Sequence, residues 1–99
     1  MKAETTANLV ESYLLTTNKY IKPNRVTLKE VKSDYTPHFL VKFKCMGTGY
    51  EVKVFAPDFM LFKVEGMPGK VCTNLSEIKD QIDFLLDSSL ADEFMNSEF

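Results

Sequence analysis

His38-Phe39-Leu40-Val41-Lys42-Phe43-Lys44-Cys45 decides the fold, because its polarity alternates with a period of two, the pitch of side chains along an extended strand. Phe39, Val41, Phe43 and Cys45 share one face, and Leu40, Lys42 and Lys44 share the other. After Met46-Gly47-Thr48-Gly49, whose glycines tolerate positive φ, the run Tyr50-Glu51-Val52-Lys53-Val54-Phe55 alternates again. The two runs predict an antiparallel hairpin whose core face gains Tyr50, Val52 and Val54.

Working upstream, Ser33-Asp34-Tyr35-Thr36-Pro37 is turn chemistry, and Val26 and Leu28 predict a first strand up to about Lys32. Glu30 and Val31 break the alternation there, which predicts a bulge. Lys22-Pro23-Asn24 reads as a turn. Before it, Leu9, Val10, Tyr13 and Leu14 recur at helical spacing, so a helix is expected over 5–17 with Thr5 or Thr6 as its cap.

Downstream, Ala56-Pro57-Asp58 interrupts the sheet pattern, and the apolar, β-prone residues 59–64 predict a fourth short strand. Residues 65–70 read as a loop. A second helix is expected from Thr73 or Asn74, where Leu75, Ile78, Ile82, Leu85 and Leu86 form an apolar stripe and Glu77, Lys79, Asp80, Asp83 and Asp87 occupy the rest of the circumference. The fold class is thus α+β: helix, three or four antiparallel strands, helix, with one sheet face covered by the helices and the other free. The whole chain, 1–99, reads as one domain with its core in about 5–88 and a tail or short helix at 89–99. In order of elements alone, residues 5–88 resemble the double-stranded RNA-binding domain. Where that family begins its last helix with a Lys-rich segment containing Gly and Ala, this chain has Lys70-Val71-Cys72-Thr73-Asn74-Leu75-Ser76-Glu77, so no RNA-contacting residue carries over.

With 44% hydrophobic and 26% charged residues, the composition is that of an ordinary globular domain. The first residues contain an acid and no apolar run, and no run in the chain is long enough to span a bilayer, so a cytoplasmic protein without membrane contact is expected. Two cysteines, Cys45 and Cys72, are too few for a disulfide scaffold and lack zinc-site spacing, and read as reduced, packed thiols. Charge is unevenly distributed. Residues 1–72 carry eleven Lys or Arg against seven Asp or Glu, whereas residues 73–99 carry one against seven.

No constellation in the sequence predicts catalysis. Nucleophilic chemistry needs a base beside the nucleophile, and His38, the only histidine, stands seven positions from Cys45 on one strand, hence on the opposite face. Glu77, Asp80, Asp83 and Asp87 line one helical face, but such a row without histidine or loop ligands reads as a solvated surface. Gly47-Thr48-Gly49 leads into a strand and not a helix, so it reads as a turn and not a phosphate loop. No enzyme activity, cofactor or metal is expected.

Two surfaces remain for binding. The acidic end, Asp83, Asp87, Asp92, Glu93, Phe94 and Phe99, combines steering charge with aromatic anchors. It predicts a small regulator, inhibitor or adaptor, monomeric or homodimeric, that binds another protein. The alternative is nucleic acid, single- or double-stranded, on the free sheet face through Lys29, Lys42, Lys44, Lys53 and Phe55, where lysines meet phosphates and an aromatic ring meets a base.

Overall fold

A computed structural model of the chain describes residues 2–17, 26–32, 35–45 and 47–84. Within these, helix α1 (Ala3–Thr17) is followed by strands β1 (Thr27–Val31), β2 (His38–Cys45), β3 (Thr48–Ala56), β4 (Phe59–Val64) and β5 (Lys70–Cys72). Helix α2 then begins at residue 75 and continues to 84, the last described residue. The five strands form one antiparallel sheet in sequence order, β1-β2-β3-β4-β5. The sheet therefore grows by local pairing alone, each strand folding back on its predecessor.

The β2–β3 hairpin forms as its alternation requires: Val41 faces Val52 and Phe43 faces Tyr50. Its connection is tighter than the sequence suggests, because Cys45 already pairs with Thr48 and only residues 46–47 lie between the strands, with Gly47 at φ 83°. Gly49 belongs to the strand. Its N–H donates to Glu65 Oε2 (3.1 Å) and its carbonyl accepts the Glu65 N–H (2.9 Å), which carries the β3–β4 ladder one step beyond Val64. Residues 64–67 then turn back, closed by Met67 N–H on the Val64 carbonyl, with Gly66 at φ 80° in the place where such turns need positive φ.

Three expectations are corrected. The stretch read as loop up to Lys70 gives way there to a fifth strand, Lys70–Cys72, pairing with β4. The bulge expected near Glu30 is not in β1, which pairs with β2 without a register shift; it lies in β3 between Val54 and Ala56. Finally, α1 starts at Ala3, its first turn closed by Thr6 N–H on the Lys2 carbonyl, so neither Thr5 nor Thr6 is its cap. Thr6, at 1% exposure, instead lies on the buried stripe with Ala7, Val10 and Leu14, while Leu9 is exposed. The turn read at Lys22-Pro23-Asn24, Ser33 and Asp34 of the turn read at 33–37, and everything read at 85–99 fall outside the described residues.

The core lies between one face of the sheet and the two helices. Val41, Phe43 and Cys45 of β2, Tyr50, Val52 and Val54 of β3, Met60 and Phe62 of β4 and Cys72 of β5 meet Ala7, Val10 and Leu14 of α1 and Ile78 and Ile82 of α2. Phe43 stacks on Tyr50 with ring centroids 5.0 Å apart. Small residues at 6 and 7 let α1 approach β2 and β3 closely. Helix α2 is capped by Asn74, whose Oδ1 accepts the Glu77 N–H (2.9 Å), while Glu77 Oε2 accepts the Thr73 N–H (2.8 Å), the reciprocal arrangement that satisfies otherwise unpaired donors of a first turn. The two helices are joined by Tyr13, whose hydroxyl donates to Asp83 Oδ1 and whose ring lies 5.3 Å from Lys79 Nζ.

Candidate binding face

Because side chains alternate along every strand, the register fixes what the second face of the sheet displays. One cross-strand row is Lys29, Leu40, Lys53, Leu61 and Val71. Two residues along is a row of Thr27, Lys42, Glu51 and Lys63, and beyond it stand Lys44, Gly49 and Glu65. Five lysines therefore share this face with two glutamates. Lys42, Lys44 and Lys63 are exposed, as are Phe59 (49%) and Val71 (52%), so neither α1 nor the described part of α2 covers them.

On the other side of Lys53 the face is aromatic. The bulge between Val54 and Ala56 sets two residues of β3, Phe55 and Ala56, against Phe59 of β4. An extra residue of this kind re-aims the side chains beside it. The Phe55 ring lies 5.0 Å from that of His38 and 5.4 Å from that of Phe59, the second pair edge-on. His38 is fixed from behind by a hydrogen bond between Nδ1 and the Thr36 carbonyl (2.9 Å). Leu40, though on this face, is only 8% exposed, and Leu61 is half-buried. Gly69 makes room for Leu61, since a Cβ there would come within 2.8 Å of Leu61 Cδ1. At the lysine end the surface dips into an open depression of about 560 Å³, lined by Thr27, Lys42, Lys44, Glu51, Lys63 and Glu65.

The helical layer carries the opposite charge. Residues 3–17 and 75–84 hold Glu4, Glu11, Glu77, Asp80 and Asp83 against the single cation Lys79. Among the described residues the charge is thus divided between the layers, with a lysine-bearing sheet face and an acidic helical back, while four of the seven acids of residues 73–99 lie outside them.

Lys29, Lys42, Lys44, Lys53 and Phe55 stand together on the open face. Sequence reasoning did not include His38, Phe59, Leu61 and Val71 among them. Of the acidic end, Asp83 is on α2 and accepts a hydrogen bond from Tyr13, while Asp87, Asp92, Glu93, Phe94 and Phe99 lie outside the described residues. His38 is on the open face and both cysteines are buried in the core, so no His–Cys pair assembles. Among the described residues no three His, Cys, Asp or Glu side chains come together as metal ligands, and no described helix is long and apolar enough to cross a membrane.

Burial pushes the Cys72 thiol above its ordinary range, with Glu77 adding to the shift and Lys70 opposing it. The folded state therefore holds this proton more tightly than the unfolded chain, and stability must fall as pH rises past the ordinary thiol range, about 8.5. We expect urea midpoints to decline above that pH, and Cys72→Ala to remove part of the decline; an unchanged slope in the variant would contradict the assignment.

Comparison of the chain with family models, with curated proteins and with solved structures yields no match.

Proposed function

We propose that this protein binds single-stranded nucleic acid on the open face of its sheet, with bases on Phe55 and Phe59 and phosphates on Lys42, Lys44, Lys53 and Lys63. The observation that supports this reading is the adjacency of the aromatic cluster to the lysine rows on a face that α1 and the described part of α2 leave uncovered. The exposed Phe59 ring and the half-buried Phe55 ring beside it offer stacking to any base, and flanking ammonium groups follow the backbone, the combination that sequence-tolerant single-strand binders use. A duplex keeps its bases stacked on each other and has no use for the rings. The acidic helical back disfavours wrapping and directs a polyanion to one side only.

The test is fluorescence anisotropy of a labelled oligonucleotide at several salt concentrations. Three or four phosphate contacts predict a slope of log K against log salt of about −2 to −3, at roughly −0.7 per contact for single strands. A duplex of the same sequence is expected to bind more weakly. Absence of binding at low salt, or binding indifferent to salt, would overturn the reading.

A further inference from the structure

We infer that the single strand bound on this face is RNA, and that Glu51 selects it by accepting a hydrogen bond from a ribose 2′-hydroxyl. This selection rests on the nucleic-acid reading, to which it adds the sugar. It starts from a carboxylate set among lysines. The register puts Glu51 directly across from Lys42 on one side and Lys63 on the other, and both lysines are exposed. Opposite charges so placed are expected to pair across strands. They do not: among the described residues the Glu51 carboxylate makes no ion pair and accepts no hydrogen bond. The second carboxylate at this end of the face is committed, because Glu65 Oε2 accepts the Gly49 N–H (3.1 Å). Glu51, half-buried, is thus the acceptor left open in the depression of about 560 Å³ that Lys42, Lys44 and Lys63 also line.

An open carboxylate weakens a surface that only has to hold phosphates, since like charges repel at short range. It suits a polyanion where the ligand brings a hydrogen-bond donor close to its phosphates. Bases carry donors, but the rings that receive bases stand at the other end of the face, with Phe55 four residues along β3 from Glu51, or about 13 Å. What lies beside a phosphate is the sugar, and the donor a sugar carries next to its 3′-phosphate is the 2′-hydroxyl. RNA has this group and DNA lacks it. With ribose in the depression, Lys42 and Lys63 hold the phosphate and Glu51, between them, accepts from the hydroxyl. With deoxyribose the carboxylate stands beside the phosphate with nothing to accept from, and that unmet charge rejects DNA. The depression falls in the size range of small-ligand sites, so it has room for one sugar and its phosphate.

The experiment measures, by anisotropy at one low salt concentration, the affinities of three labelled single strands of one base sequence: RNA, 2′-fluoro RNA, and DNA with uracil in place of thymine. The fluoro sugar keeps the ring conformation of ribose but cannot donate. RNA is expected to bind about five- to thirtyfold more tightly than either of the others, the worth of one hydrogen bond to a charged acceptor that is half-buried. Glu51→Ala is expected to bring the RNA-to-DNA ratio close to one. Glu51→Gln, whose amide oxygen still accepts but carries no charge, is expected to raise DNA binding and to keep part of the preference. Phe55→Ala lowers both affinities and leaves the ratio unchanged. Unshifted amide signals at Leu14 and Ile78 verify that the Glu51 variants are folded. Fluoro RNA binding as tightly as RNA overturns the assignment, because the sugar conformation and not the donor is then being read. A preference that survives Glu51→Ala, or that changes with the base sequence, overturns it as well. RNA and DNA binding equally with the salt slope given above removes the selection and leaves the nucleic-acid reading standing, whereas no binding of any of the three strands sinks both.

Discussion

Truncating Ile78 to alanine is expected to lower the free energy of unfolding by about 2–5 kcal/mol, the range for large-to-small changes at fully buried aliphatic sites. Ile78 has no exposed surface and, with Ile82, anchors α2 against the core that β3, β4 and α1 complete. A domain of this size has about 5–15 kcal/mol in total, so the variant forfeits a large share and its melting temperature falls by roughly 10–25 °C. Phe84→Ala, six residues further along the same helix at a side chain 66% exposed, is expected to cost under about 0.5 kcal/mol. Urea unfolding of both variants measures the contrast at constant slope. Equal destabilisation by the two would mean that α2 is not seated through Ile78.

That contrast was legible in the sequence because α2 carries its apolar residues on one stripe, and β2 and β3 were legible for the corresponding reason, strict alternation between a core face and a wet face. Elsewhere the pattern failed for identifiable physical reasons. In α1 the buried stripe runs through Thr6 and Ala7, residues too small or too polar to register as hydrophobic, while Leu9, which does register, points outward. In β1, an edge strand, Glu30 is exposed although it opposes Phe39 of the core side, so alternation lapses without any bulge. Strand β5 has three residues directly after Pro68-Gly69, too few for a period to show.

The candidate face divides in the same way. Its lysine rows follow from parity within β2 and β3, since Lys42, Lys44, Glu51 and Lys53 each have a buried neighbour on both sides or stand next to one. Its aromatic end does not. Phe59-Met60-Leu61-Phe62 is apolar on both faces, so nothing in the sequence says which ring is covered and which is displayed; the burial of Met60 and Phe62 settles it. Nor does any local signal place the bulge at Val54–Ala56, yet that shift brings Phe55 between His38 and Phe59.

If those rings take bases, Phe55→Ala weakens single-strand binding by about 1–3 kcal/mol, the usual cost of removing one stacking platform and roughly a five- to 150-fold rise in Kd. Removing the ring leaves the phosphate-binding lysines in place, so the salt slope is expected to stay unchanged. Lys42→Gln with Lys53→Gln acts on the electrostatic part: the slope becomes shallower by about 0.7 for each phosphate no longer neutralised, whatever the base sequence. Phe59→Ala, at a ring half exposed and edge-on to Phe55, is expected to behave like Phe55→Ala with a smaller effect on folding. Lys79→Gln on the helical back, where the ammonium faces the Tyr13 ring, serves as the control and is expected to change neither quantity. The two classes of variant thus separate stacking from charge on independent readouts. A Phe55 variant that alters the slope, or lysine variants that alter affinity without altering it, would show that the ligand does not lie across the face with its bases at one end and its phosphates at the other.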